Sequence, residues 1–230
     1  MKKLIVLTGI VLFLSSCQSD TEKTMTVTGN IKGLKKGKLY LQHVSDTLLV
    51  ALDSLEIEGD GNFMFKTEIE SPELFYLYLN KKDNNDVNDR IPFFGEPGTI
   101  TIQTNWNTFD ANAKISGSKS HKKFEEYKEV MSNINKKGLE ILLGTSQTKE
   151  ALDQATIDSL ERLGARNTQR GYAFAINFAL NNKDSYVAPY IALKEIPDAN
   201  TIYLDSILSV LTPEVAASKY GRGLQAYLEK

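Results

Sequence analysis

At Gly117 and Ser118 the spacing of apolar side chains changes from two residues to between three and four. That one change restricts the chain to folds in which strands come first and helices second. Upstream, strand-like segments fall at Thr26–Ile31, Lys38–Leu41, Thr47–Ile57, Asn62–Ile69, Leu74–Leu79, Ile91–Phe94, Thr99–Thr104 and Ala113–Ile115. Several alternate with period 2, and Leu74–Leu79 is a continuous apolar run that suits a strand covered on both faces. About eight short strands joined by Gly-, Pro- and Asn-rich turns predict an antiparallel β-sandwich or a partly open barrel. Ala51–Phe65 is expected to form a β-hairpin in the middle of that sheet. Its Gly59-Asp60-Gly61-Asn62 cluster tolerates the positive φ that tight hairpin turns need. Gly33–Gly37 is expected to close a second hairpin.

Downstream, Phe124, Tyr127, Met131, Ile134, Gly138 and Ile141 recur at helical spacing, with Lys122, Glu126, Glu129 and Lys137 on other faces. A second helix is expected from about Lys149 to Leu180, with Gly164, Ala165, Gly171, Ala173 and Ala175 allowing close helix–helix approach. Asn181–Asp184 breaks it. Shorter helices follow over Tyr186–Glu195, Thr201–Leu211 and Ser218–Leu228, with Pro189, Pro197 and Pro213 near their starts or breaks. The expected fold class is α+β: an antiparallel β domain over 25–117, then a helical region over 118–230.

The N-terminus stands apart. Lys2 and Lys3 precede an apolar run from Leu4 to Leu14, and Ser15-Ser16-Cys17 follow. The run is too short to span a bilayer and has the layout of a secretory signal. Leu14-Ser15-Ser16-Cys17 resembles the bacterial lipobox, in which the Cys is lipidated and becomes the first mature residue. Residues 1–16 are therefore expected to be a signal peptide, Cys17 the lipid attachment site and 17–24 a polar tether. A plain signal peptide that happens to contain a Cys is the simpler alternative. Lipoprotein sorting in general, with Gln18 after the Cys, points to the outer membrane, facing the periplasm or the cell surface.

Cys17 is the sole cysteine of the 230 residues. Once it is acylated the sequence offers no disulfide, no Cys-x-x-Cys redox pair and no thiolate metal site. Net charge is −2, with both signs mixed along the chain, so nothing here captures nucleic acid by charge. No cofactor is expected.

Candidate chemistry is sparse. His43 and His121 have no acidic residue at ligand spacing and read as surface or capping histidines. Asp83–Asp89 looks like a calcium loop but lacks Gly at its sixth position and has Phe94 where the bidentate Glu belongs. Ser116-x-x-Lys119 and Ser120-x-x-Lys123 fit a Ser-x-x-Lys nucleophile pattern without its partner elements, and Ser at a strand-to-helix junction caps helices. Asp53 and Glu96 have no spacing that pairs them. Trp106, Tyr40, Tyr76 and Tyr78 are candidate aromatic platforms for a glycan or peptide, although aromatics in strands mostly serve the core.

Taken in order, Gly29-x-Ile31-x-Gly33, Gly37-Lys38-x-Tyr40-Leu41, Asp53-Ser54, Gly61-x-Phe63-x-Phe65, Pro72, Glu96-Pro97-Gly98, Gly117-Ser118, Asn182-x-x-Ser185 and Tyr220-Gly221 resemble the domain of unknown function numbered 4369. That module is common at the N-terminus of thioredoxin-like lipoproteins. The resemblance implies an accessory module ahead of a redox domain, which would begin about where this sequence reaches Lys230; it brings no catalytic residue with it. The expected function is a non-enzymatic, membrane-anchored envelope lipoprotein that binds a partner protein or envelope ligand. The alternative is an accessory component or truncated relative of a thiol-disulfide oxidoreductase, without its own redox cysteines.

Overall fold

The computed structural model describes residues 23–45, 47–80, 90–146 and 152–230. Cys17, the apolar run before it and the Asp83–Asp89 loop lie outside the described residues. Eight strands come first: β1 (Thr24–Lys32), β2 (Lys36–Ser45), β3 (Leu48–Glu58), β4 (Asn62–Glu68), β5 (Glu73–Asn80), β6 (Arg90–Gly95), β7 (Gly98–Asn105) and β8 (Lys114–Ser116). They form two four-stranded sheets, β4-β1-β7-β8 and β3-β2-β5-β6, which do not close into a barrel.

Alternation along each strand builds the core between the sheets. Val27, Phe63, Phe65, Ile100 and Ile102 of the first sheet meet Leu39, Leu41, Phe75, Leu77 and Phe93 of the second, all buried. The pairing is antiparallel except between β1 and β7, which run parallel from Met25↔Gly98 to Lys32↔Asn105. The parallel pair is a correction to an all-antiparallel reading. Two strands so far apart in sequence can pair in either sense, because the long connection between them imposes no tight turn.

The expected Ala51–Phe65 hairpin does not form. β3 and β4 belong to different sheets, and each is an edge strand rather than a central one. The hairpin is β2–β3, whose register ends at Ser45↔Leu48. Residues 33–35 and 59–61 instead carry the chain from one sheet to the other side by side, so Gly33–Gly37 is no hairpin loop either. Both segments are tied together at this corner: Ile31 N–H donates to Gly61 O at 2.9 Å and Gly59 N–H to Lys35 O at 2.9 Å. Asn30 Nδ2 bridges Asp60 O and Asn62 Oδ1. Gly61 sits at φ +78°, and a Cβ there would lie 2.2 Å from Ile31 O. Glycine chemistry suited to a hairpin turn is equally suited to this crossover.

The helical layer contains α1 (Lys119–Ser146), α2 (Gln154–Asn181), α3 (Val187–Tyr190) running into a π-helical turn at Ile191–Glu195, α4 (Thr201–Val210), α5 (Pro213–Ala216) and α6 (Lys219–Leu228). Asp153 caps α2 by accepting from Thr156 N–H at 2.7 Å, and Pro213 opens α5. The layer packs on the outer face of the second sheet. Leu74 and Phe94, which point away from the sandwich core, join Phe124, Tyr127, Ala175, Ile191, Leu204 and Leu224 in a second buried cluster. Among the described residues, no helix is long and apolar enough to cross a membrane.

Candidate functional site at the sheet–helix seam

The seam begins where α1 leaves the strands. Ser118 is the N-cap: its Oγ accepts from His121 N–H at 2.9 Å and donates to Phe94 O at 2.8 Å. Glu96, from the Glu-Pro-Gly turn, accepts from the N–H groups of Lys119 and Ser120 and from Ser120 Oγ at 2.6 Å. A carboxylate against the first free N–H groups of a helix is stabilised by their charge and by the helix dipole. Glu96 and Asp53 lie on opposite sides of the second sheet and form no pair; Asp53 accepts from Ser54 N–H instead.

His121 is not a surface histidine. It is buried, 3% exposed, and its Nδ1 accepts from Phe94 N–H at 3.2 Å, so the ring holds its proton on Nε2, 3.4 Å from Glu125 Oε1. Burial lowers its pKa, the nearby Glu125 carboxylate partly opposes this, and Lys128 adds to the lowering. The sequence signal was its place three residues past a Ser N-cap and three before the apolar Phe124. Across the same strand pair, Tyr220 Oη accepts from Leu74 N–H at 3.2 Å. Helical side chains thus complete the backbone hydrogen bonds of β5 and β6 where the ladder ends.

Above this seam lies a cleft of about 630 Å³ between the second sheet and the helices. Tyr76, Tyr190 and Tyr220 line it together with Val44, Leu74 and Leu193, and Lys194 and Lys219 stand at its rim. The π turn, an uncommon helix variant associated with functional sites, carries Leu193 and Lys194 into it. Tyr190 meets Phe94 and Phe124 edge-on at 5.7 and 5.6 Å and Tyr220 at 5.1 Å. Its hydroxyl donates to Glu195 Oε1 at 3.0 Å. Burial raises the pKa of all three cleft tyrosines, and the Glu195 charge adds to this for Tyr76 and Tyr190. They are neutral hydrogen-bonding groups on an apolar floor. Of the cleft tyrosines, the sequence offers Tyr76 as a candidate aromatic platform and Tyr220 only within the Tyr220-Gly221 motif. Tyr190 and Tyr220 went unnoticed as a pair because they lie in separate short helices.

Beside the cleft, Glu73, only 8% exposed, is held by Lys219 Nζ and by His43 Nδ1 at 3.2 Å, and Lys219 Nζ also donates to Val44 O at 2.5 Å. These contacts tie α6 to the end of the second sheet. They line a smaller hollow, about 300 Å³, shared with Ser45, Leu52 and Ile69.

The remaining candidates are scattered. Ser120 is committed to Glu96, and Lys123 pairs with Glu126 at 2.7 Å. Tyr40 and Tyr78 stack at 5.7 Å on the outer face of the second sheet, half-buried rather than in the core, with Arg90 4.3 Å over the Tyr78 ring. Trp106 is 49% exposed and lies against Gly33 at the crossover corner. Trp106 and Tyr76 therefore do not join Tyr40 and Tyr78 in one platform. No group of three or more His, Cys, Asp or Glu able to hold a metal occurs among the described residues.

Two facing sheets with a helical layer grafted onto one of them, and an aromatic cleft along the graft, define a β-sandwich module with a helical cover. Residues 25–124 match the family described as Domain of unknown function (DUF4369), and the chain carries this domain. The matched segment holds all of β2–β8 and reaches Phe124, so it includes the Glu96, Ser118 and His121 junction that launches α1. No curated protein and no solved structure matches the chain.

Proposed function

We propose that the chain is a non-enzymatic docking module of the bacterial cell envelope, lipid-anchored through Cys17, that takes a ligand or partner segment into the sheet–helix cleft. The supporting observation is the cleft itself. It offers an aromatic and aliphatic floor with neutral tyrosine hydroxyls and a cationic rim, the makeup of a site that binds rather than transforms. Two of its polar groups are already used structurally: Lys219 on Glu73 beside the cleft, Tyr220 on Leu74 N–H. A ligand that enters should raise the melting temperature of the wild type, because binding to the folded state alone stabilises it. Replacing Leu193 by Trp should fill the cleft and remove that shift. Equal shifts in both proteins, or turnover of the ligand, would contradict the proposal. The Cys17 tether is tested separately with a clickable fatty acid, which should label the wild type and not Cys17→Ser.

One alternative rests on what the family resemblance implies, that the module serves a thiol-disulfide oxidoreductase. On that reading the cleft receives a segment of a thioredoxin-like partner, which should co-purify from envelope extracts. Reduction of insulin by the Cys17→Ser protein itself would overturn the non-enzymatic assignment, since thiol exchange needs a thiolate.

A further inference from the structure

The end of the sandwich opposite the crossover corner carries an unusual strand. Seven consecutive residues of β3, from Leu48 to Ser54, are all exposed. Leu48 is 70% exposed, Leu49 43%, Val50 40% and Leu52 41%. β3 is an edge strand, and β2 pairs with β5 only as far as His43↔Phe75, so Val44–Ser45 and Leu48–Leu49 of the β2–β3 hairpin project past its neighbour, with Val50 and Leu52 exposed just behind them. Leu48, Val50 and Leu52 point to one face by strand alternation, and Leu49 and Ala51 to the other. Long apolar edges of this kind are normally blunted by charge or proline. The run from Leu48 to Leu52 has neither.

The chain's N-terminal segment enters the fold at the same end. Thr24 pairs with Glu68, Lys23 O accepts from Ile69 N–H at 2.9 Å, and Ile69 shares the 300 Å³ hollow with Ser45 and Leu52. Residues 18–23 separate Thr24 from Cys17, a reach of at most about 25 Å even when fully extended. We infer that the projecting tip, Leu48, Leu49, Val50 and Leu52, docks into the lipid bilayer to which Cys17 tethers the chain. This rests on the Cys17 reading above and adds to it a fixed orientation, with the crossover corner pointing away from the membrane.

A bilayer suits the tip better than a protein surface does. A docking protein covers one face of a strand, whereas an apolar phase immerses both, and here both faces carry aliphatic side chains. The charges around the tip select the lipid. Asp53, Glu68 and Glu70 are exposed there but are offset by the exposed Lys23 and by Arg222, 3.4 Å from Glu70, so neither sign dominates and a zwitterionic surface is favoured. Insertion to the depth of the acyl boundary is what a short apolar patch achieves, and the tether supplies the residence that such a patch lacks alone.

The test uses the chain from Cys17 onward, coupled through that thiol to a maleimide lipid in phosphatidylcholine vesicles with brominated acyl chains. Trp106, the sole tryptophan, sits at the far corner against Gly33 and reports the end that should stay in water. Leu48→Trp in a Trp106→Phe background reports the tip, and Leu49→Trp repeats the measurement on the other face. The tip variants should shift to shorter wavelength and lose about half their emission on brominated vesicles, as rings at the acyl boundary do. The wild-type Trp106 emission should be unchanged. Unquenched emission from both tip variants overturns the inference, as does unquenched emission with a cross-linked dimer, which would assign the tip to a second copy of the chain. Because a synthetic lipid provides the anchor, failure of native acylation is read from the fatty-acid label alone and leaves this result independent.

Discussion

The two ends of the sandwich are built on opposite principles. At the crossover corner, backbone meets backbone: Gly61 lies against Ile31 O, Asn30 bridges Asp60 and Asn62, and Trp106 covers Gly33. At the other end, side chains from the helical layer complete the sheet through His121, Ser118 and Tyr220, while β3 projects without cover. One end is sealed by main-chain geometry, the other left open and finished with groups that can be exchanged. The cleft, the Glu73–Lys219–His43 contacts and the entry of the N-terminal segment all lie at the open end. In this fold, the backbone-to-backbone closure and the sheet–helix cleft are placed at opposite poles.

Substitutions at each end should separate these roles. Phe94→Ala removes the ring that Phe124, Tyr190 and Tyr220 pack around and should cost about 4 kcal/mol, read by urea denaturation. Gly61→Ala forces a side chain into a left-handed backbone and onto Ile31 O, and should cost about 3 kcal/mol without altering the cleft. Tyr220→Phe leaves Leu74 N–H without its acceptor. A loss of about 1–2 kcal/mol is expected, with the near-ultraviolet dichroism of the aromatic cluster otherwise retained.

A pH series sharpens the comparison further. The pKa of His121 is lowered in the fold, so the unfolded chain binds the extra proton more readily. Its contribution is complete above the unfolded value of about 6.5 and is lost as pH falls below it. Glu125 and Lys128, the charges facing the ring, act in opposite directions and leave burial dominant. The midpoint of unfolding should therefore drop between pH 7 and pH 5, and His121→Gln, whose amide oxygen can accept from Phe94 N–H, should flatten that slope. The smallest effect belongs to the tip. Leu48→Ser should change stability by no more than about 0.5 kcal/mol, because the side chain supports nothing in the fold.

Period makes most of the strands and the long helices legible, since each places its apolar residues on one face whatever lies opposite. Leu74–Leu79 is legible instead as a short apolar run, because both of its faces are covered. The seam positions Phe124, Tyr127, Met131 and Ile134 were visible for the same reason. Partner choice was not visible. Gly59-Asp60-Gly61-Asn62 has the chemistry of a hairpin turn, and nothing local distinguishes a turn within one sheet from a crossover between two. The β1–β7 pairing joins segments some seventy residues apart and leaves no local mark. His121 reads as a surface or capping group, because a single histidine in a charged helix gives no sign that the Phe94 N–H of the strand above it needs an acceptor. The cleft was illegible because Tyr76, Tyr190 and Tyr220 converge only after the helices fold back over the second sheet.

Hydrogen exchange on the lipid-tethered protein, with and without vesicles, tests the division between the two ends most directly. Amides of Leu48–Leu52 should gain protection on phosphatidylcholine vesicles, while those of Asn30–Leu34 and Gly59–Asn62 exchange at the same rate in both conditions. Protection appearing at the crossover corner, or equally at both ends, would contradict the account.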